Sequence, residues 1–591
     1  MKYVLVSGGV ISGVGKGIIA SSTGLLLKTT GLNVTYMKID PYMNIDAGTM
    51  SPTEHGEVYV LDDGGEVDLD LGSSERYLGV TLTREHNITT GKIYQHVIER
   101  ERRGDYLGKT VQIVPHLTNA IQDWVERVAH IPVNENQATP DVCVIELGGT
   151  VGDIENAPFI HAMTQLQRRV GKGNFLQIHV SHVPVIPPGP QGEQKTKPTQ
   201  RAVSDSRREG LNPDLIACRC EIPLEAGTIQ KVANMCQVDA DQVIAVHNVS
   251  TTYRVPLLLE NQKLLPTIGR LFQLDSIPRN PTLVSQGKLI WKEWVELATS
   301  QDHIYETVSI ALVGKYTTLH DAYMSVGKSL EHAALHCRKK LNLIWVDASN
   351  LEEGTKDTKL VDYHKAWHDV CTANGILVPG GFGGRGTEGM IKAINYARTK
   401  NVPFLGICLG MQLAVIEYAR NVCGVKGAGS EELQENCENK VVVNMPELDK
   451  DKLGGTMRLG KRQTIFQAGT EWSRFRALYG DLPEIWERHR HRYEVNPAMI
   501  ETIEKADGGL SFIGKDEKAE RMEIIEVRDH PWFVGVQFHP EYLSRVLSPS
   551  KTYLGFFAAA AGMLEPITKE YSNRKDLSYY AGNEDFAGQA S

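Results

Sequence analysis

The chain of 591 residues is 41% hydrophobic and 23% charged, with a formal net charge of −9. That length calls for more than one hydrophobic core, and a net acidic chain excludes wholesale nucleic-acid binding, which needs a basic surface to neutralise phosphates. Nine cysteines without a paired framework, with Cys218 and Cys220 too close together and too far from a second pair, exclude a disulfide scaffold and a zinc signature; eight read as structural, in a reducing cytosol.

At the amino terminus Lys2 precedes the apolar Tyr3 to Val6, but glycines and Lys16 interrupt the run, so no export is expected and the chain is placed in the cytoplasm. The segment reads instead as a strand, Tyr3 to Val6, that enters Ser7-Gly8-Gly9-Val10-Ile11-Ser12-Gly13-Val14-Gly15-Lys16-Gly17 and then an apolar helix over Ile18 to Leu27. Strand, glycine loop and helix form a phosphate cradle: backbone N–H groups close around phosphate oxygens, the helix N-terminus adds its positive end, and Lys16 reaches the terminal phosphates. ATP is the natural ligand. Val10 stands where the common P-loop has its first Gly, and Gly17 replaces the Ser or Thr that holds Mg²⁺, so a structural glycine-rich turn is the competing reading. The metal ligands must then come from elsewhere. Two acidic runs offer oxygen ligands of the kind Mg²⁺ takes, Glu66-Val67-Asp68-Leu69-Asp70-Leu71-Gly72 and Glu146 to Glu155. The second follows a buried-strand pattern, Asp141 to Ile145, which delivers Glu146 to the sheet edge where open α/β folds bind ligands. Solvated surface is the alternative for either run.

Further on, Pro184-Val185-Ile186-Pro187-Pro188-Gly189-Pro190 is a proline-stiffened loop before Gly192. Ser276 to Pro281 reads as a linker, followed by a helical stretch around Trp291 to Ala298, and the strand Ser309 to Gly314 opens a second domain. The short strand Gly375 to Val378 runs through Pro379 into Gly380-Gly381-Phe382-Gly383-Gly384, whose backbone N–H groups suit an oxyanion hole. Gly406-Ile407-Cys408-Leu409-Gly410 lies between an apolar run and a helical pattern over Met411 to Arg420. A glycine two residues either side of a nucleophile is what a sharp strand-to-helix turn requires. Cys408 is a candidate nucleophile, against the alternative of a small buried hydrophobe. Val534 to Phe538 reads as a buried strand running into His539-Pro540-Glu541, which supplies a base and the carboxylate that orients it. The apolar stretch Leu554 to Leu564 holds 11 residues and is too short for a bilayer, which needs about 20. From Pro566 the chain shows no periodicity and is expected to be a disordered tail.

The elbow cysteine, the strand-borne His-Pro-Glu and the glycine turn resemble the class I glutamine amidotransferases, whose Cys-His-Glu site hydrolyses glutamine to glutamate and ammonia; Cys408 would carry the glutamyl thioester. With Lys38-Ile39-Asp40-Pro41-Tyr42, Gly56-Glu57-Val58, the two acidic runs and Gly192-Glu193-Gln194-Lys195-Thr196-Lys197-Pro198-Thr199-Gln200, the series is similar to the CTP synthase family over residues 1 to about 560. In that family an amidoligase domain binds ATP and UTP and phosphorylates the uracil O4, and ammonia from the glutaminase displaces that phosphate at C4.

The resemblance implies that the loop Ser12 to Gly17, with Lys16, contacts ATP phosphates, that Lys38 lies by the transferred phosphoryl group, and that Asp70 and Glu146 hold Mg²⁺. It places UTP on Lys195, Thr196, Lys197, Pro198, Thr199, Gln200 and Lys231, where a triphosphate needs several charge-assisted contacts; an exposed solubilising loop is the alternative for those lysines. Asp153, Ile154 and Glu155 match positions that bind the inhibitor CTP, overlapping UTP. Gly381 belongs to the oxyanion turn, and Arg492, within Arg488 to Glu494, to the glutamine carboxylate, with the choice among its arginines open. Gly454 to Gly460 resembles a segment that answers to the activator GTP, and Ser51 to Val58 the mouth of an ammonia path, with Pro52 as a stiff turn, His55 as a polar gate and Val58 as an apolar wall. A homotetramer able to stack into filaments is implied.

The expected fold is α/β in two domains, each a mainly parallel sheet flanked by helices. Residues 1–275 form a P-loop, dethiobiotin-synthetase-like amidoligase domain, 276–303 a linker, 304–562 a class I glutamine amidotransferase domain, and 563–591 the tail. Two other readings stay open on the residues alone. Cobyrinic-acid-type amidases also join a P-loop amidoligase to a triad domain, and a non-catalytic assembly protein could descend from such an enzyme. The Lys195 to Gln200 segment speaks against the first, and the intact Cys408, His539, Glu541 and Lys16 against the second.

Overall fold

Runs of Val, Ile and Leu with both faces buried build two separate sheets, one in each of the two units into which the chain divides. Met1–Ala47 and Asp70–Ser300 form the first unit; Gly48–Leu69 joins the chain after Ser300 in the second. The computed structural model describes residues 1–134, 137–171, 173–187, 192–300, 304–433, 437–445 and 457–572.

The first unit holds a seven-stranded sheet in the order Val243–Val246, Leu215–Arg219, Phe175–His182, Lys2–Gly8, Val142–Leu147, Val34–Asp40, Asn87–Thr89. Every pairing is parallel. Parallel strands need crossover helices, which cover both faces, and so the strands read as continuous apolar runs. Lys2–Gly8 is buried along its whole length. Strand order runs outward in both directions from this central strand, so the crevice at its carboxyl end is where such a sheet accepts a ligand. The loop from Gly9 to Gly15 sits there, ahead of the helix Lys16–Thr29. Register sets the chemistry nearby: Lys38 pairs with Glu146 across neighbouring strands, so both side chains stand at one level of the sheet.

The segment expected as a linker is for most of its length a helix, Pro281–Ser300, that belongs to the first unit. Burial of Trp294 explains this. Its indole N–H donates to the Tyr253 carbonyl at 2.9 Å, and its ring meets Tyr77 edge-on at 4.8 Å between centroids.

In the second unit a nine-stranded sheet begins with five parallel strands, Lys340–Asp347, Thr307–Gly314, Gly375–Val378, Phe404–Ile407 and Phe533–Val536. It continues antiparallel through Met522–Val527, Leu510–Lys515, Arg458–Phe466 and Glu484–His491. The parallel half carries the glycine turn, the elbow and the His-Pro-Glu segment at the ends of three adjacent strands.

A hairpin of the amino-terminal half, Val58–Val60 with Glu66–Asp68, is built into this second unit. The fully buried Arg488 explains it: the guanidinium donates to Asp62 Oδ1 at 2.6 Å, to the Tyr59 hydroxyl at 3.0 Å and to the Val60 carbonyl at 3.0 Å. A buried cation is tolerated only with such partners. At the other end of the unit the expected tail begins as a helix, Leu564–Ser572, because Ile567 and Tyr571 lie one turn apart and are both buried. Residues 573–591 of the expected tail, 188–190 of the proline-rich loop and 454–456 of the segment before Gly460 lie outside the described residues.

Candidate active sites

In the first unit two lysines and three carboxylates converge near the glycine loop. Gly13 and Gly15 take φ of 75° and 100°, a left-handed backbone that glycine adopts without strain, and added side chains there would meet nothing within 4 Å. The loop is open where a ligand would lie. Lys16 is buried and donates to the Gly149 carbonyl at 2.8 Å. Burial lowers its pKa, opposed by the charge of Glu146. Lys38 Nζ lies 2.6 Å from Asp70 Oδ2, 3.2 Å from Glu146 Oε1 and 3.7 Å from Asp40 Oδ1. The Lys38 charge holds the Asp70 carboxyl below the usual carboxylate range. Glu146 also accepts from the Tyr36 hydroxyl, and a side chain at Gly17 would come within 3.4 Å of its Oε2. The missing hydroxyl of the loop thus faces a carboxylate. Asp70 and Glu146 offer the two or so oxygen ligands from which Mg²⁺ is usually held alongside water and phosphate, so the donor set fits that ion.

The other residues expected around a nucleotide are in the same unit. Lys195 Nζ lies 2.5 Å from Glu193, and Lys231 acts on that same carboxylate. Thr196 is buried and accepts from Gln200 Nε2 at 3.0 Å; Lys197 and Pro198 are exposed at the start of the helix Lys197–Arg208. Thr199 is turned inward, donating to the His182 carbonyl at 3.3 Å and accepting from Ser181 at 3.1 Å. Asp153 receives the Thr150 N–H at 3.0 Å, and Ile154 stands 84% exposed. Ile154 and Glu155 border a cavity of about 320 Å³ whose walls include Ile93, Tyr94, Leu117 and Phe159.

In the second unit Cys408 has φ 52° and ψ −103°, a strained turn between the strand Phe404–Ile407 and the helix Leu409–Asn421. The flanking glycines are sterically required: a Cβ at Gly410 would lie 2.0 Å from the Val378 carbonyl oxygen, and one at Gly406 2.7 Å from the Gly410 backbone. Beyond the adjacent strand, His539 Nδ1 donates to Glu541 Oε1 at 2.7 Å. Burial opposes a charge on His539, but the Glu541 carboxylate, with the Cys408 thiol, outweighs it and raises the imidazole to about 10. Its Nε2 has no hydrogen-bond partner among the described residues. A Cβ at Gly380 would lie 3.6 Å from Cys408 Cβ and 3.7 Å from His539 Nε2, so the three surround one spot. The thiol donates weakly to the Arg490 carbonyl at 3.9 Å and accepts from Gln537 Nε2 at 3.6 Å. A Cβ at Gly381, next along the turn, would lie 3.6 Å from Leu409. A thiol, a charged imidazole and a glycine turn are the parts needed to open an amide through a thioester.

Several neighbours had escaped the sequence. Lys315, which follows the strand Thr307–Gly314, donates to the carbonyls of Phe382 and Gly383 and fixes the glycine turn; burial lowers its pKa to about 8. Glu432 accepts the Gly383 N–H at 2.9 Å, is pushed up by burial, and feels the charges of Lys315 and Arg492. Of the arginines from 488 to 492, Arg488 serves the hairpin and Arg490 donates to Glu66 at 2.9 Å, so Glu66 leaves the acidic run offered for a metal. Lys315 could have been found from its place at a strand's carboxyl end; Glu432 lies in no motif. On the strand Glu484–His491, His489 and His491 alternate with Arg488 and Arg490 and cluster with Glu523, which is paired to Arg458.

Comparison with known proteins gives a match to each half of the chain, the first of which includes the hairpin segment that the structure builds into the second unit. Residues 2–274 match the family described as CTP synthase N-terminus, and residues 318–559 the class-I glutamine amidotransferase family. A CTP synthase of Schizosaccharomyces pombe is 64% identical over 97% of this chain and 95% of its own, and one of Neurospora crassa 62% over 96% and 97%. Among solved structures, the glutaminase domain of a Trypanosoma brucei CTPS with bound acivicin is 38% identical over 43% of this chain and 94% of its own, with a TM-score of 0.39.

Proposed function

This chain belongs to the CTP synthase family, and from that premise we propose how its residues divide the reaction. It is a carbon–nitrogen ligase that makes CTP from UTP, with ATP as the energy source and glutamine as the nitrogen donor. The observation that carries the division is that the thiol–imidazole–carboxylate cluster and the lysine–carboxylate cluster lie in different units.

Cys408, as the thiolate, attacks the carboxamide carbon of glutamine. The carbonyl oxygen becomes an oxyanion facing the amides of the turn at Gly381, and His539 passes its proton to the departing ammonia. Water then hydrolyses the thioester to glutamate. Arg492, whose charge acts on Glu432 beside the glycine turn, takes the substrate carboxylate, and Glu432 is placed to take the substrate's ammonium. In the first unit the loop from Ser12 to Gly17 and Lys16 hold the ATP phosphates, and Lys38 neutralises the phosphoryl group as it moves to the uracil O4. Ammonia adds at C4 and phosphate leaves. Mg²⁺, held by Asp70 and Glu146, would add charge neutralisation at the phosphates. The uracil nucleotide lies along Lys195 to Gln200 and Lys231, and the cavity by Asp153, Ile154 and Glu155 takes the cytosine of the inhibitor CTP. Met457 to Gly460 belong to the part that answers to GTP; at Gly460 the backbone approaches so closely that a Cβ would lie 2.7 Å from the Asp62 carbonyl oxygen. The exposed Ile98, Leu107, Ile113 and Val114 suit the assembly of tetramers and their filaments. No helix of the described residues is long and apolar enough to cross a membrane. Mixing the protein with UTP, ATP, Mg²⁺, glutamine and GTP should give the absorbance change of CTP formation; no change under any combination of these ligands overturns the reading.

Because Glu541 raises His539 to about 10, the imidazolium, which must give up a proton, persists well into alkaline solution. In Glu541→Gln the largest opposition to burial is removed and only the Cys408 thiol still raises the imidazole, so the alkaline limb of glutamate release should move to lower pH. A pH profile of glutamate release checks this. The linkage to stability has the same sign: the contribution of the raised imidazole is full below its ordinary value of 6.5 and fades as pH rises through about 10.

Ammonia must also travel sheltered, since in bulk water it becomes ammonium, which cannot attack C4. Val58 is buried and its carbonyl accepts the Tyr542 hydroxyl at 2.9 Å, while Tyr542 stacks on His539 at 5.1 Å. We assign Val58 to the wall of that path. Val58→Phe should let glutamine hydrolysis continue while CTP formed per glutamate falls below one, at a cost in stability of about 1 to 3 kcal/mol. One CTP per glutamate in that variant removes Val58 from the route.

A further inference from the structure

Glu66 has a place that neither the acidic run around it nor the phosphate chemistry explains. Its carboxylate accepts the Arg490 Nε–H at 2.9 Å, with the two side chains only 2% and 11% exposed. The guanidinium also lies over the Phe382 ring, 5.4 Å from its centroid, and Phe382 is part of the glycine turn. The main-chain carbonyl of this same arginine is the one that accepts the Cys408 thiol, at 3.9 Å. A single residue therefore touches the hairpin carboxylate, the oxyanion turn and the nucleophile.

The hairpin does not need Glu66 to stay docked. Tyr59 donates to the Tyr542 carbonyl at 2.6 Å, Arg488 binds Asp62 and Val60, and Glu57 accepts the Ser325 N–H at 2.9 Å. What Glu66 adds is orientation. A charge-assisted pair fixes a planar guanidinium in direction as well as place, and a cation held over a ring restrains that ring in turn.

We propose that Glu66 is a positioning residue for glutamine hydrolysis: by clamping Arg490 against Phe382 it sets the carbonyl that orients the Cys408 thiol and the turn that faces the oxyanion. The proposal rests on Cys408 as the glutaminase nucleophile. It also makes a hairpin from the amino-terminal half part of the glutaminase machinery.

The test uses the full chain carrying Glu66→Gln, which keeps the size of the side chain and removes its charge. Glutamate release should fall about tenfold in kcat, equivalent to about 1.4 kcal/mol, with the KM for glutamine within about twofold. The pH midpoint for alkylation of Cys408 by iodoacetamide, read on the Cys408 peptide, should move downward, because the carbonyl that accepts the S–H favours the neutral thiol and the lost carboxylate leaves the Arg490 charge uncompensated. Synthesis of CTP from ammonium salts should stay unchanged. Phe382→Leu, which removes the other side of the clamp, should lower kcat in the same way and serves if Glu66→Gln folds poorly. A purely structural role would lower the melting temperature without moving the alkylation midpoint. Wild-type kcat and alkylation in both variants overturn the proposal, as does an equal loss of the ammonia-dependent reaction. Persistence of glutamate release in Cys408→Ala would instead remove the nucleophile itself, a failure distinct from that of the clamp.

Discussion

Cys408→Ala should reduce CTP formation from glutamine by roughly 10⁴-fold or more, the scale on which loss of a nucleophile is felt, while synthesis from ammonium salts stays within about twofold of the parent. On the proposed division the thiol forms the thioester, and its unit supplies ammonia and nothing else to the second reaction. The substitution leaves the fold nearly unchanged. Ala bears the same Cβ in the same strained turn at φ 52°, and the sulfur it loses makes only weak hydrogen bonds, at 3.6 and 3.9 Å. Glutamate release and CTP formation, each followed with glutamine and with an ammonium salt, check the expectation. If the ammonia-dependent rate falls as far as the glutamine-dependent one, and a thermal melt shows the variant folded, the two chemistries are not separate.

The elbow was legible because its constraint is local. Gly406 and Gly410 leave no room for side chains, and that exclusion is written in a five-residue spacing. His539 and Glu541 were legible for the same reason: two residues apart beyond a strand, they meet without help from the rest of the fold. Lys38 and Glu146 needed more, because their meeting depends on two strands far apart in sequence becoming neighbours in register; only the family resemblance brought them together. Glu432 lies in no motif, and its role depends on a turn folded from another part of the chain.

The hairpin shows a different limit. Alternation can mark Val58–Val60 as a strand, but nothing within it says which unit it joins. That was decided by Arg488 and Arg490, distant residues whose buried and largely buried guanidiniums require the hairpin's oxygens. The stretch read as a linker is free of helix at 277–280, yet the helix that starts at Pro281 buries Trp294 and is no spacer. In the tail, Ile567 and Tyr571 stood at helical spacing, a signal two residues long that the polar surroundings outweighed.

The second large effect is expected at the lysine–carboxylate site. Lys16→Ala and Asp70→Asn should each remove CTP synthesis from either nitrogen source, by on the order of 10³-fold, the scale on which single charged groups act in phosphoryl transfer. Lys16 stands at the start of the helix Lys16–Thr29, where a cation and the helix N-terminus would act on the same phosphates. Asp70 offsets Lys38, only 2.6 Å away; as Asn it would leave Lys38 more strongly held by Glu146 and weaken the oxygen set offered to Mg²⁺. Folding should survive in both. The Lys16 bond to Gly149 is one hydrogen bond, with a net contribution of about 1 kcal/mol, and the Asp70 side chain is half-exposed. Glutamine hydrolysis, which uses neither residue, should continue and show that the second unit is intact. Near-normal synthesis from ammonium salts in both variants overturns the ATP and Mg²⁺ assignments. Loss in Lys16→Ala alone overturns only the metal ligand, because the phosphate loop would then act without the Asp70 charge.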